Sequence, residues 1–333
     1  MPAAGGIAGI ELGDAQLRES VTAGLDRVER FLRRSLDSDY PFVTETSRHL
    51  MLAGGKRFRP LLVLLAAHVG DPGRPKVVPA AVVVELTHLA TLYHDDVMDE
   101  AVVRRGQPSA NSRWDNTVAI LTGDFLFARA SDILADLGPS AVRIQARTFE
   151  RLVTGQIRET VGPGPADDPI EHYLHVVAEK TGSLIATAAR FGAMFAMVDD
   201  PVTEALSEYG ELIGVAFQLS DDLLDVSAES EQSGKTPGTD LREGVHTLPM
   251  LHALAGHDGS EARLRTLLRG PLTDDGPHAE ALAMLRVSPA MGVSRQTLVA
   301  YADRARSVLD RIPDVPARGA LAALCDFVVA RTG

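Results

Sequence analysis

Asp95, Asp96 and Asp99 close an apolar run that begins at Val77, and the same spacing returns at Asp221, Asp222 and Asp225 inside the apolar run from Leu212 to Val226. On a helix of 3.6 residues per turn, positions four apart lie about 40° from each other, so each run sets two carboxylates on one face with a third beside them. Acceptor-only groups held this close repel one another unless a cation lies between them, and hard oxygen ligands suit magnesium or calcium. Burying them unpaired is costly. A chain built on these two stretches must be helical there and must bring a cation to both. One such spacing occurs readily by chance in an aspartate-rich chain, whereas two copies would occur in roughly one chain in a hundred. A third cluster, Asp167, Asp168 and Glu171, follows a Gly/Pro loop and precedes Pro169, which reads as a helix N-cap with proline at the first helical position and no chemistry.

With 333 residues, 45% hydrophobic and 23% charged, the chain can bury a substantial core. The net charge of -12 speaks against nucleic acid, because no basic stripe is available to release counterions. The single cysteine, Cys325, excludes an intrachain disulfide and fits a reducing cytoplasm. No stretch of 18 uninterrupted apolar residues occurs, so no transmembrane segment is expected. The first residues lack the basic start and apolar stretch of a signal peptide. A flexible tail over 1–11 and one domain over 12–333 are expected.

Helical spacing dominates. Leu17, Val21, Leu25, Val28, Phe31 and Leu32 mark one amphipathic helix, and a second is expected from Pro41 to Leu52, stopping at Gly54-Gly55. Lys56, Arg57 and Arg59 then precede a strongly apolar helix, where its N-terminal dipole would help them hold an anion. The run from Val77 to Asp99 reads as one long helix. On it His88 stands seven residues before Asp95, about 20° away around the helix, which suits a substrate role as well as a structural one. Arg104 and Arg105, opening a loop, are shaped for phosphate. Helices are expected near Asn116, over Ala141–Thr160, from Pro169 to Met197 with Lys180-Thr181-Gly182 inside, and after Asp199-Asp200-Pro201. From Ser227 to Thr247 the composition turns polar and glycine-rich, a mobile loop or lid that carries Lys235. No strand alternation and no linker composition interrupts this pattern, so the chain reads as all-α in a single domain.

Taken together, Gly-Gly-Lys-Arg-Phe-Arg-Pro at 54–60, the first aspartate motif with Arg104-Arg105-Gly106, Lys180-Thr181, Phe217-Gln218, the second aspartate motif and the Gly-Lys loop ending in Thr247-Leu248-Pro249 resemble a trans-isoprenyl diphosphate synthase, or polyprenyl synthetase. The resemblance covers nearly everything after residue 40. It implies an all-helical bundle around a deep central cavity, a homodimer, and the condensation of isopentenyl diphosphate with an allylic diphosphate. It further implies about three magnesium ions held by Asp95, Asp96, Asp99, Asp221, Asp222 and, less directly, Asp225. Arg104, Lys180 and Lys235 would contact the allylic diphosphate, with Thr181, Phe217 and Gln218 near the reacting carbons. Lys56, Arg57 or Arg59, His88 and Arg105 would hold isopentenyl diphosphate. Many relatives carry a second lysine where this chain has Val245.

Family members that stop at fifteen carbons place an aromatic residue four or five positions before the first aspartate. Here Thr91 and Ala90 occupy those positions, with Thr87 one turn deeper, so a product longer than C15 is expected, suited to a respiratory quinone such as menaquinone. So apolar a product implies transient membrane contact at release. A terpene cyclase would not need Lys56, Arg59 and His88 for a second diphosphate. An accessory subunit of a two-component synthase need not keep both aspartate clusters.

Overall fold

Asp14 begins the first long helix, its Oδ1 accepting the Leu17 N–H at 2.7 Å and so pairing one of the amides that a helix start leaves open. That helix, α1 (Ala15–Ser35), buries Leu17, Val21, Val28 and Leu32, the stripe that the spacing marks. There follow α2 (Pro41–Leu52), α3 (Phe58–Ala67), α4 (Val77–Met98), one-turn α5 (Ala110–Arg113), α6 (Asn116–Leu137), α7 (Pro139–Val161), α8 (Pro169–Val177), α9 (Ser183–Phe195) and α10 (Asp200–Ser227). After α10 come α11 (Thr239–Glu243), α12 (Leu248–Ala255), α13 (Ala262–Leu267), α14 (Asp275–Val287), α15 (Pro289–Val308) and α16 (Pro316–Ala330). This computed structural model describes residues 6–7, 10–228, 237–256 and 259–332. The strands among them are two-residue pairs, so the fold is all-α as expected.

Several local expectations change. Gly6–Ile7 pairs antiparallel with Ile10–Glu11, and Ile10 and Leu12 are buried, so any tail ends before Ile10. Arg104-Arg105-Gly106 lies in a tight hairpin joining Val103–Arg104 to Gln107–Pro108, with Arg105 at φ 53° and Gly106 at φ 73°. Two successive positive φ values fit the twist of a two-residue hairpin and cost a non-glycine residue conformational energy. The helix expected from Pro169 to Met197 is broken at Ala178–Gly182 by a π-helical segment, which carries Lys180 and Thr181. Such segments sit disproportionately at functional sites. Gly155 on α7 allows its close approach, because a Cβ there would lie 2.9 Å from the Lys180 amide nitrogen.

By its contacts the chain divides into two compact units. The first comprises 1–150, 184–210 and 308–323; the second comprises 151–183, 211–307 and 324–333. No linker marks the division in the sequence because its boundaries fall inside α7, α9, α10, α15 and α16. The first unit is organised on α4, which packs against α6, α3 and α1. By length and composition α4 could cross a membrane, but 67% of its apolar window is buried inside the protein, as befits a core helix. The second unit has its own core, built from Val226, Leu241, Met250, Leu264, Ala281 and Leu285.

Tyr93, fully buried on α4, fastens that helix to α2: its hydroxyl donates to Thr46 O at 2.5 Å and accepts from Leu50 N at 3.2 Å. These two hydrogen bonds of Tyr93 anchor the helix. Replacing it with phenylalanine should lower stability by about 1 kcal/mol, read from the urea midpoint, and leave product length unchanged.

Candidate active site

In the first unit, α4 delivers Asp95 and Asp96 in its last turn and Asp99 as its C-cap. Asp96 is fully buried. Arg104 Nε donates to its Oδ1 at 2.6 Å, while Nη2 of the same arginine lies 3.6 Å from Asp99 Oδ2. Burial raises the Asp96 carboxyl above the usual carboxylate range even though Arg104 pulls it down. Asp96 Oδ2 is buried without a hydrogen-bond partner among the described residues. The arginine hairpin and the carboxylate helix are therefore one assembly, and a carboxylate oxygen remains available in it.

A second feature of this unit is a patch of cations around a buried carboxylate. Glu85, 2% exposed on α4, accepts from Arg57 Nη1 at 3.1 Å. Arg57 also bonds both oxygens of Glu29, at 3.0 and 3.3 Å, and the Met51 carbonyl at 3.1 Å. Of the two alternatives raised by the sequence, Arg57 thus spends its donors on the protein. Arg59 is different: burial lowers its guanidinium to about 10 and leaves Nε without a partner among the described residues. Arg105 donates to Leu50 O at 2.9 Å and to Gly54 O. Gly55, at φ 148°, lies so close beneath that guanidinium that a Cβ would stand 3.1 Å from Nη1. Burial, with Arg59, Arg105 and Arg57 nearby, holds the His88 imidazole well below the usual histidine range, so it stays neutral. Lys56 is exposed at the edge of this patch.

Thr87, Ala90 and Thr91 differ in their surroundings. Thr87 is fully buried, donating to Val83 O at 2.9 Å and accepting from Gln145 Nε2 at 2.9 Å. Ala90 is fully buried where α6 crosses α4, and a Cβ on Gly123 would lie 3.1 Å from its carbonyl oxygen. Thr91 alone of the three keeps some exposure.

In the second unit, α10 carries Phe217, Gln218 and the other three aspartates. Asp222, 4% exposed, accepts from Gln218 Nε2 at 3.0 Å and from the Tyr173 hydroxyl. Thr181 Oγ1 donates to Gln218 Oε1 at 3.3 Å, so the π segment, Gln218, Asp222 and α8 form one hydrogen-bonded chain. Burial, reinforced by Asp221 and Asp225, pushes the Asp222 carboxyl up to about 7 against these hydrogen bonds. Lys180 Nζ donates to Glu159 Oε2 at 2.6 Å. Asp225 accepts the Thr239 and Asp240 amides at 3.2 Å each, and its own carbonyl accepts from Gly238 at 2.8 Å. It therefore caps α11. Val245 is 43% exposed. Lys235 lies outside the described residues. Asp168 caps α8 as expected, accepting from Ile170 N at 2.8 Å and Glu171 N at 3.2 Å.

Glu29, Glu85, Glu159, Tyr173 and Arg331 escaped the sequence reading. All five meet their partners only through folding, across 21 to 110 positions of sequence. Among the described residues no three acidic or histidine side chains converge as a ready-made metal cage. Magnesium takes one or two carboxylates and fills the rest of its shell with water and substrate phosphate. The unpartnered Asp96 Oδ2 and the half-exposed Asp95 and Asp221 are donors of the required kind.

The polyprenyl synthetase family model matches residues 40–285. The chain is 54% identical over 328 residues to nonaprenyl diphosphate synthase of Mycobacterium tuberculosis, covering 98% of each protein. It superposes on geranylgeranyl pyrophosphate synthase of Corynebacterium glutamicum, solved with calcium and isoprenyl diphosphate, with a TM-score of 0.88, 47% identity and coverage of 97% of this chain and 100% of that one. A decaprenyl diphosphate synthase from Rhodobacter capsulatus gives a TM-score of 0.85 at 34% identity, covering 96% and 99%. The chain belongs to the polyprenyl synthetase family. It is a trans-prenyltransferase with the all-α isoprenoid synthase fold.

Asp222 gives this site a pH signature. A carboxyl at about 7 when folded and about 3.9 when unfolded binds more protons in the folded state between those values, so stability falls as pH rises through that window. Chelator-treated protein should therefore lose melting temperature between pH 5 and pH 8, and Asp222→Asn should flatten the curve; a wild-type slope in the variant would assign the effect elsewhere.

Proposed function

We propose that this enzyme elongates an allylic diphosphate with isopentenyl diphosphate to a polyprenyl diphosphate longer than C15, with magnesium bound at its aspartate clusters. The observation that carries the assignment is the pairing, in one unit, of a carboxylate cluster with a half-buried cation patch, in which Asp96 Oδ2 of the one and Arg59 Nε of the other have no hydrogen-bond partner among the described residues. A terpene cyclase has no use for the second anion site, and a non-catalytic subunit has no need to keep both clusters.

Asp95, Asp96 and Asp99 on α4, with Asp221 and Asp222 on α10, would hold the metal. Bound there, magnesium neutralises the charge that builds on the leaving diphosphate. Arg104 and Lys180, now paired with Asp96 and Glu159, turn to diphosphate oxygens as substrate arrives. Ionisation breaks the allylic carbon–oxygen bond and leaves a carbocation. Arg59, Arg105 and neutral His88 orient isopentenyl diphosphate so that its alkene attacks that carbon. A proton is then lost to the departed diphosphate. Thr181 and Gln218, linked at 3.3 Å, set polar oxygens near the cation, and the apolar face of α4 keeps water from trapping it.

Relatives of known product span geranylgeranyl to decaprenyl, and the small Ala90 and Thr91 favour the longer end, which suits a quinone side chain such as that of menaquinone. Along α7, Val153, Ile157 and Val161 form an exposed apolar row at four-residue spacing, 38%, 57% and 77% exposed, which supports a homodimer. A cytoplasmic enzyme that touches the membrane at product release fits the absence of any described helix free to span it.

Asp95→Ala and Asp221→Ala should each lower turnover on the order of 10²-fold, as expected when a transition-state stabiliser is lost. Near-normal rates in either would remove that cluster from the mechanism. Incubation with labelled isopentenyl diphosphate, magnesium and farnesyl diphosphate should give products beyond C20 that shorten in Thr91→Phe; unchanged lengths in that variant would refute the cavity-wall role of Thr91.

A further inference from the structure

Arg331, in the turn after α16, makes an ion pair that the mechanism above does not use. Its Nη2 donates to Asp221 Oδ1 across 110 positions of sequence. The guanidinium lies 4.7 Å over the Phe217 ring and 5.6 Å from the Phe327 ring, and the side chain is only 14% exposed. Its Nη1 is buried without a hydrogen-bond partner among the described residues. The backbone around it is secured: Arg331 N donates to Phe327 O at 3.2 Å, and Arg295 Nη1 donates to Thr332 O at 2.7 Å.

We infer that Arg331 is a built-in counter-cation of the second aspartate cluster: it occupies Asp221 in the metal-free enzyme, gives that oxygen up to a divalent metal, and then offers its freed guanidinium to the substrate diphosphate. The inference rests on the reading of Asp221 as a metal ligand. Two cations cannot share one carboxylate oxygen without repulsion, so metal and Arg331 compete for Oδ1. Losing Asp221 does not expel the guanidinium, because ring faces hold a cation without consuming its N–H donors. With Nη1 already unpaired, displacement from Asp221 leaves two adjacent donors on a planar fork, the shape that matches phosphate oxygens. A charge set so that metal binding precedes diphosphate binding orders the two events.

The test titrates full-length protein with magnesium alone, and then with inorganic pyrophosphate at saturating magnesium, by calorimetry. Arg331→Met should bind magnesium alone more tightly, by about tenfold, and magnesium-loaded Arg331→Met should bind pyrophosphate about tenfold more weakly. These opposite shifts are not expected of an arginine that merely secures the C-terminus, whose loss would weaken both together with a fall in melting temperature. Unchanged or weaker magnesium binding, or unchanged pyrophosphate binding, overturns the proposal. Asp221→Asn separates it from the reading beneath: if that variant binds magnesium as the wild type does, Asp221 is no metal ligand and the metal assignment itself fails. If the methionine variant does not fold, Arg331→Lys keeps charge and stem but not the fork. It should retain wild-type magnesium affinity and still lose pyrophosphate affinity, and wild-type behaviour in both titrations would refute the role.

Discussion

A carboxylate taken out of water must find a cation or a set of hydrogen-bond donors, and the interior of this protein is laid out by how it meets that demand. Asp96 meets it through Arg104, Glu85 through Arg57, and Asp222 through Tyr173 and Gln218. Two of these solutions are incomplete among the described residues. Asp96 keeps an unpartnered oxygen and Asp222 sits near 7, where its charge is poised between two states. Incomplete pairing is a liability for a purely structural core and an asset where a side chain must exchange one partner for another.

The cations divide into those already committed and those held ready. Arg57 is saturated by Glu29, Glu85 and a carbonyl, so it braces the patch. Arg59 is half-buried beside it, its Nε without a partner among the described residues. The same contrast separates Asp225, which ties α10 to α11, from Asp221, whose Oδ1 is paired with Arg331. In each pair the two residues are of one type and within four positions of each other, and their work differs because their neighbours differ.

Much of this was legible in the chain. The periodicity of Leu17, Val21, Val28 and Leu32, the proline at 41 and the aspartate–proline start at 168–169 announced helices that begin at nearly those positions. The doubled aspartate spacing announced the chemistry. Less legible were the π segment at Lys180 and the hairpin at Arg105, because both depend on one or two backbone torsions that composition does not signal. The division into two compact units was invisible for a related reason, since its boundaries run through continuous helices.

By itself the sequence determined the helical class, the two carboxylate clusters and the identity of the basic groups, since these follow from spacing and side-chain type alone. Tertiary structure decided which of those groups are spent and which remain available. Glu29 reaches Arg57, Gln145 reaches Thr87 and Arg331 reaches Asp221 across 28, 58 and 110 positions of sequence. Charge and hydrogen bonding act over a few ångströms of space, and no local pattern in a chain records which distant residue will be brought within that range.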